Sequence, residues 1–277
     1  MSEDQGKENS LLSGVPNSKL KTKVVLVIEY DGTGYCGFQF QINAPTIQNE
    51  IEKALLKLTG EKIRIIAASR TDTGVHAKEQ VIGFRTGSAL KTETFVKGLN
   101  YYLPQDIAVK ASYKVNDSFN VQRDVISREY AYFVLNSAMR SPLKRAFTFR
   151  VSGELDIRKM NQAADMLIGK RDLASFVTEL SQASIKSTVR SVHSVLVERK
   201  DDLVVFKMIA KSFLPHQVRN TVGTLIRVGS GKIGLNDFKN IMEAKKPGLA
   251  GPTIPAHGLF LVRINYPQPL GDYNEDL

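Results

Sequence analysis

The sequence predicts an α+β fold, and three observations carry that reading. β-branched apolar runs of strand length, such as VVLVI from Val24 to Ile28, recur along the chain between turn residues. Between some of them lie segments whose apolar residues return at helical spacing. The order strand, helix, strand, strand, helix, strand then occurs twice, whereas a doubly wound parallel sheet needs strict alternation of strands and helices.

Taken in order, residues 1–22 are polar, Ser/Asn/Gly/Lys-rich and aperiodic, and are expected to form a mobile leader. VVLVIEY (Val24 to Tyr30) is a buried strand closed by the turn residues DGTGYCG. After Pro45, the spacing of Ile47, Ile51, Ala54, Leu55 and Leu58 predicts an amphipathic helix ending at Thr59-Gly60. Lys62 to Ala68 and Lys78 to Arg85 read as antiparallel strands around the loop SRTDTGVHA. A helix over Thr92 to Leu103 and a strand over Asp106 to Val115 complete the first unit. The second unit follows as strand Ile126 to Leu135, helix Asp156 to Ile168, strands Thr188 to Glu198 and Leu203 to Ala210, helix Leu214 to Val228 and strand Leu259 to Tyr266. Each βαββαβ unit is the ferredoxin-like arrangement, with helices on one face of an antiparallel sheet. The expected architecture is therefore two such units, pseudo-duplicated in structure but not in sequence. The expected boundaries are 23–117, carrying the Asp loop, and 118–277.

The 277 residues hold 38 Lys+Arg against 28 Asp+Glu, a formal net charge of +10, with 42% apolar and 24% charged. That composition excludes a disordered tail and a collagen-like fibre. No apolar run approaches the roughly 20 residues that span a bilayer, so no membrane span is expected. MSEDQGKENS places acidic residues where a signal peptide carries positive charge, and the single Cys36 leaves no intramolecular disulfide. A cytoplasmic location is expected. The positive excess attracts a polyanion, and exposed sheet faces of this topology are a common RNA platform.

Gly32-Thr33-Gly34-Tyr35-Cys36-Gly37 spells a dinucleotide-binding pattern, but Phe38 to Pro45 separate its glycines from any helix, so a glycine-rich turn is the better reading. Asp72-Thr73-Gly74 matches the aspartic-protease triplet, yet only one such triplet is present and the dyad needs two. Four scattered histidines and one cysteine offer no metal-ligand spacing. The residues leave two readings of Ser69 to His76 open. One is an ordinary turn with a surface Arg-Asp pair; the other is a working carboxylate, because Arg70 and Asp72 leave one short loop two positions apart. On pattern alone Arg219, in the helix expected over Leu214 to Val228, reads as a solvent-facing residue of an ordinary helix start, and Tyr130 and Tyr132, which share a strand face, read as core.

Seven blocks resolve these alternatives by resemblance: EYDGTGYCGFQFQ (Glu29 to Gln41), TIQNEIEKAL (Thr46 to Leu55), SRTDTGVHAKEQVIGF (Ser69 to Phe84), LNYYLPQDIAV (Leu99 to Val109), SREYAYFV (Ser127 to Val134), FLPHQVRNTVGTLIRVG (Phe213 to Gly229) and GLFLVRINY (Gly258 to Tyr266). In that order they resemble the tRNA pseudouridine synthase A (TruA) family from about Lys23 to Tyr266. The resemblance implies conversion of uridine to pseudouridine at positions 38, 39 and 40 of the tRNA anticodon stem-loop. It also implies a homodimer that holds tRNA across both subunits, without metal or organic cofactor. By that match Asp72 is the catalytic aspartate and Tyr130 contacts the target base. Arg70 and Arg219 are its basic neighbours, and Phe38, Gln39, Gln41 and Lys78 are candidates for guiding the RNA. The chain departs from the family pattern at Gln122, where a cation is usual, at Val177, where an arginine is usual, and at Pro215 and Gln217 within the Leu-Tyr-His-Met segment. A noncatalytic RNA-binding protein on the same fold is the alternative.

Overall fold

The computed structural model describes residues 21–178 and 185–273. The expected leader lies outside the described residues except for Lys21 and Thr22, and Thr22 already belongs to the first strand. The first half comprises β1 (Thr22–Tyr30), α1 (Ile47–Thr59), β2 (Ile66–Ala67), β3 (His76–Thr86), α2 (Thr92–Tyr102) and β4 (Ile107–Val115). The second comprises β5 (Ser127–Asn136), β6 (Phe149–Val151), α3 (Ile157–Asp165), β7 (Gly169–Asp172), β8 (Val189–Lys200), β9 (Leu203–Ala210), α4 (Gln217–Gly229), α5 (Leu235–Ala244) and β10 (Leu259–Asn265).

Helix α1 shows how local sequence sets an element. Thr46 caps it by accepting the Asn49 amide at 3.3 Å, and Ile47, Ile51, Ala54 and Leu55 line its buried face. Each fully buried Ile or Leu side chain contributes roughly 1.5–3 kcal/mol. The largest wholly buried side chains, among them Tyr132, Phe95, Phe119, Phe176 and Phe206, come from both halves and belong to one continuous core.

Two separate antiparallel sheets were the expectation, and the structure corrects it. The strands form one ten-stranded sheet in the order β4-β1-β3-β10-β5-β9-β8-β7, with β2 on β3 and β6 on β5. The halves join where β3 and β10 pair in parallel through Phe260↔His76 and Leu261↔Ala77. Strand β2 explains why that edge is available. Expected over Lys62 to Ala68, it pairs only at Ile66↔Gly83 and Ala67↔Ile82, near the far end of β3. Ile65 donates its amide to Glu52 Oε1 at 3.1 Å instead of to a strand. The start of β3 thus keeps an unpaired edge, which β10 occupies.

Two further differences concern helices. The last helix of the second unit starts at Gln217 rather than Leu214, because His216 has φ 59, a left-handed conformation that no helix interior accepts. Helix α5 is an addition to the expected pattern. Its signal is Leu235, Phe238 and Met242 at helical spacing, with Phe238 fully buried and Asp237 accepting the Gly234 amide at 2.8 Å.

Because β10 lies between β3 and β5, the loop entering β3 and the segment leaving β9 face each other across Tyr130 on β5. That juxtaposition creates the site.

Candidate active site

The loop from Ala68 to Val75 is fixed from three directions. Gln80 on β3 donates to the Ser69 carbonyl at 2.6 Å, and Tyr30 on β1 shares a 2.7 Å hydrogen bond with the Thr71 hydroxyl. From the third side, Phe38 donates its amide to the Thr71 carbonyl at 3.0 Å and Gly74 donates to the Tyr35 carbonyl at 3.3 Å. The glycine-rich turn is therefore a cradle for this loop. A Cβ on Gly32 would sit 2.1 Å from the Val75 carbonyl oxygen, and Gly37, at φ 87, would place one 2.8 Å from that of Thr71.

Held in this way, Asp72 presents its carboxylate to a cavity of about 560 Å³, within the roughly 300–1,000 Å³ of small-molecule sites. Arg219 approaches from α4, its Nη1 3.7 Å from Asp72 Oδ2, while its Nε donates to the Ile254 carbonyl at 2.8 Å. The second bond aims the guanidinium, and the first distance is an ion-pair contact longer than a hydrogen bond. Burial pushes the Arg219 guanidinium below its ordinary pKa, and the neighbouring Asp72 charge opposes that shift. His216 Nε2 lies 3.6 Å from the same Oδ2.

Tyr130 forms the opposite wall. It is buried, its hydroxyl lies 3.1 Å from Ser69 Oγ, and Phe213 meets its ring edge-on at a centroid distance of 5.1 Å. Burial pushes the Tyr130 phenol up to about 12, with a weaker contribution in the same direction from the Asp72 charge. Tyr130 is thus a neutral hydroxyl near pH 7, suited to packing and hydrogen bonding rather than to taking a proton.

Of the residues singled out in the sequence, Arg70, Asp72, Tyr130 and Arg219 line one cavity, and Arg70 is exposed at its edge. The other four do not join them. Phe38 is buried in the core against Tyr30, at 6.2 Å between centroids, so its side chain supports the loop from behind and is not available to guide RNA. Gln39 is exposed outside the cavity, and Gln41 donates to the Cys36 carbonyl at 2.7 Å. Lys78 stands on β3 over the rings of Phe133 and Phe260, at 5.5 and 5.9 Å, also outside the cavity.

Several lining residues escaped the sequence reading. Arg128 donates to the Ala68 carbonyl at 2.6 Å and the Lys211 carbonyl at 2.5 Å, tying the two loops together. Its position two residues before Tyr130, on the same strand face, was the available signal. Phe213 and Ser69 become visible only through tertiary contact with Tyr130. The departures also find places. Gln122 donates to the Ala67 carbonyl at 2.9 Å, Pro215 lines the cavity, and Val177 is fully buried. Among the described residues, no group of three or more His, Cys, Asp or Glu stands close enough to hold a metal, and no helix is long and apolar enough to cross a membrane.

One cavity of a basic protein thus brings together a carboxylate, a guanidinium and a buried tyrosine. A family model described as tRNA pseudouridine synthase matches residues 26–122 and 163–267. The tRNA pseudouridine synthase A of Acetivibrio thermocellus is 43% identical over 243 residues, covering 88% of this chain and 99% of that protein. Those of Thermoanaerobacter pseudethanolicus and Francisella tularensis subsp. novicida are 40% and 38% identical, each over 88% of this chain and over 99% and 94% of their own lengths. The chain belongs to the tRNA pseudouridine synthase A family. It is an isomerase that converts uridine to pseudouridine in tRNA.

Proposed function

We propose that the chain modifies uridines 38, 39 and 40 of the tRNA anticodon stem-loop in this cavity, with Asp72 as the catalytic carboxylate. The observation that carries this reading is the convergence of Asp72, Arg219 and Tyr130, from three separate elements, on one cavity. Isomerisation breaks the N1–C1′ bond, turns the uracil and forms C5–C1′; the C5 proton leaves and N1 gains one, so no oxidant or reductant is required. Positive character develops at C1′ while the base is detached, and a carboxylate stabilises it. Asp72 acts either by covalent attack or by taking the sugar's 2′-proton. Tyr130 packs against the base once it has left the stack, and Arg70, at the cavity edge, meets the phosphate backbone.

In the same reading the halves 23–117 and 118–277 are two ferredoxin-like subdomains. Support comes from the matching neighbour relations β4-β1-β3 and β10-β5-β9, each placing the first strand of its half between the last and the next to last. The enzyme works in the cytoplasm as a homodimer, needs no metal or organic cofactor, and holds tRNA across both subunits. Mapping pseudouridine in tRNA after incubation with the wild type tests the target positions. Pseudouridine at 38–40 is the expected result; pseudouridine elsewhere overturns the assignment, and tight tRNA binding without product returns the noncatalytic RNA-binding reading.

A further inference from the structure

His216 occupies a conformation that costs a histidine energy. Its φ of 59 and ψ of 0 place it in the left-handed region, immediately before α4, and its side chain makes no capping hydrogen bond. The same backbone twist accompanies an imidazole that stands a third exposed, with Nε2 3.6 Å from Asp72 Oδ2. Its other nitrogen, Nδ1, is sealed from solvent and has no hydrogen-bond partner. Nδ1 is unpartnered in either tautomer, so the carboxylate beside Nε2 decides: a lone pair there would face an anion, and the neutral ring carries its hydrogen on Nε2.

His216 Nε2 and Arg219 Nη1 both approach Asp72 Oδ2, at 3.6 and 3.7 Å, from the start of one helix. Both distances are within a small side-chain adjustment of hydrogen bonds, the kind of tightening that accompanies substrate binding. We infer that His216 is a positioning residue for Asp72. Together with Arg219 it holds Oδ2 and so fixes the orientation of the carboxylate offered to the sugar. The inference rests on the reading of Asp72 as the catalytic carboxylate.

The test is single-turnover release of tritium from tRNA labelled at C5 of uridine, for wild type, Asp72→Asn, His216→Gly and His216→Asn. Glycine and asparagine both accept the left-handed conformation, so the start of α4 is retained, and thermal midpoints report whether each variant folds. Loss of positioning predicts a rate about 10- to 100-fold lower in both His216 variants with unchanged tRNA affinity. Free imidazole should restore part of the rate to His216→Gly and none to Asp72→Asn. Wild-type rates in the folded His216 variants, or rate losses matched by lost affinity and insensitive to imidazole, overturn the positioning role while Asp72 stands. Wild-type turnover by Asp72→Asn overturns the underlying reading and this inference with it.

Discussion

The two halves of the molecule meet in two places of opposite character. At the β3–β10 seam the contact is tight: His76 is 1% exposed, stacks on Phe260 at 4.6 Å between centroids, accepts the Gly32 amide at 3.1 Å and reaches the His257 carbonyl at 3.2 Å. At the cavity the contact is open: Asp72 is 35% exposed and meets Arg219 and His216 at 3.7 and 3.6 Å, beyond hydrogen-bond length. The seam aligns the halves, so the charged groups at the cavity need not spend their interactions on holding the protein together. They remain available to substrate, which is the arrangement expected when catalysis depends on preorganised electrostatics.

Salt separates the two contacts most strongly. If the enzyme contacts roughly six or more phosphates, tRNA affinity falls about 10³-fold or more between 50 and 200 mM salt, while the melting temperature of the free protein barely moves. A flat binding curve would remove phosphate contacts from the account. The next largest effect belongs to Arg219→Ala, which should lower the single-turnover rate about 10²-fold with tRNA affinity and melting temperature nearly unchanged. A marked loss of stability would instead make Arg219 part of the structural junction through its bond to Ile254.

Tyr130→Phe sharpens the contrast within the cavity. It keeps the ring against Phe213 and removes only the hydroxyl beside Ser69, so a rate loss of about 10-fold is expected, with binding retained. Equal losses of rate and affinity would make the hydroxyl a binding contact alone.

The smallest effect probes the seam. Burial, opposed mainly by the Asp31 charge, lowers the His76 pKa from its ordinary 6.5. The folded state then binds fewer protons than the unfolded chain below that pH. This contribution to stability is present above pH 6.5 and is lost as pH falls through the lower folded value. A drop of a few degrees in melting temperature between pH 7.5 and 5.5 should be smaller in His76→Gln, and identical slopes would acquit His76.

These contrasts also explain what the sequence revealed. Strands such as β9, expected and found over Leu203–Ala210, follow from period-two patterning that local composition dictates. The Ser69 to His76 loop was legible because its residue types concentrate charge on a short turn, and its flanking strands were visible. The fused sheet was not legible, since it rests on two residue pairs between β3 and β10 that are remote in sequence. Phe38 misled for the opposite reason: an aromatic beside a motif signals a contact, and only tertiary packing shows that it faces the core. Spacing puts Arg128 on the face of Tyr130, but neither the carbonyls it binds nor the left-handed φ of His216 is encoded by composition or spacing.

Asp72, offered by the first half into a cavity completed by the second, is proposed to perform the isomerisation. The most direct measurement is release of tritium from tRNA labelled at C5 of uridine, comparing wild type with Asp72→Asn under matched tRNA binding. Complete release by the wild type is expected, with a rate lower by on the order of 10⁴-fold in the variant. Release by Asp72→Asn at close to the wild-type rate would contradict it.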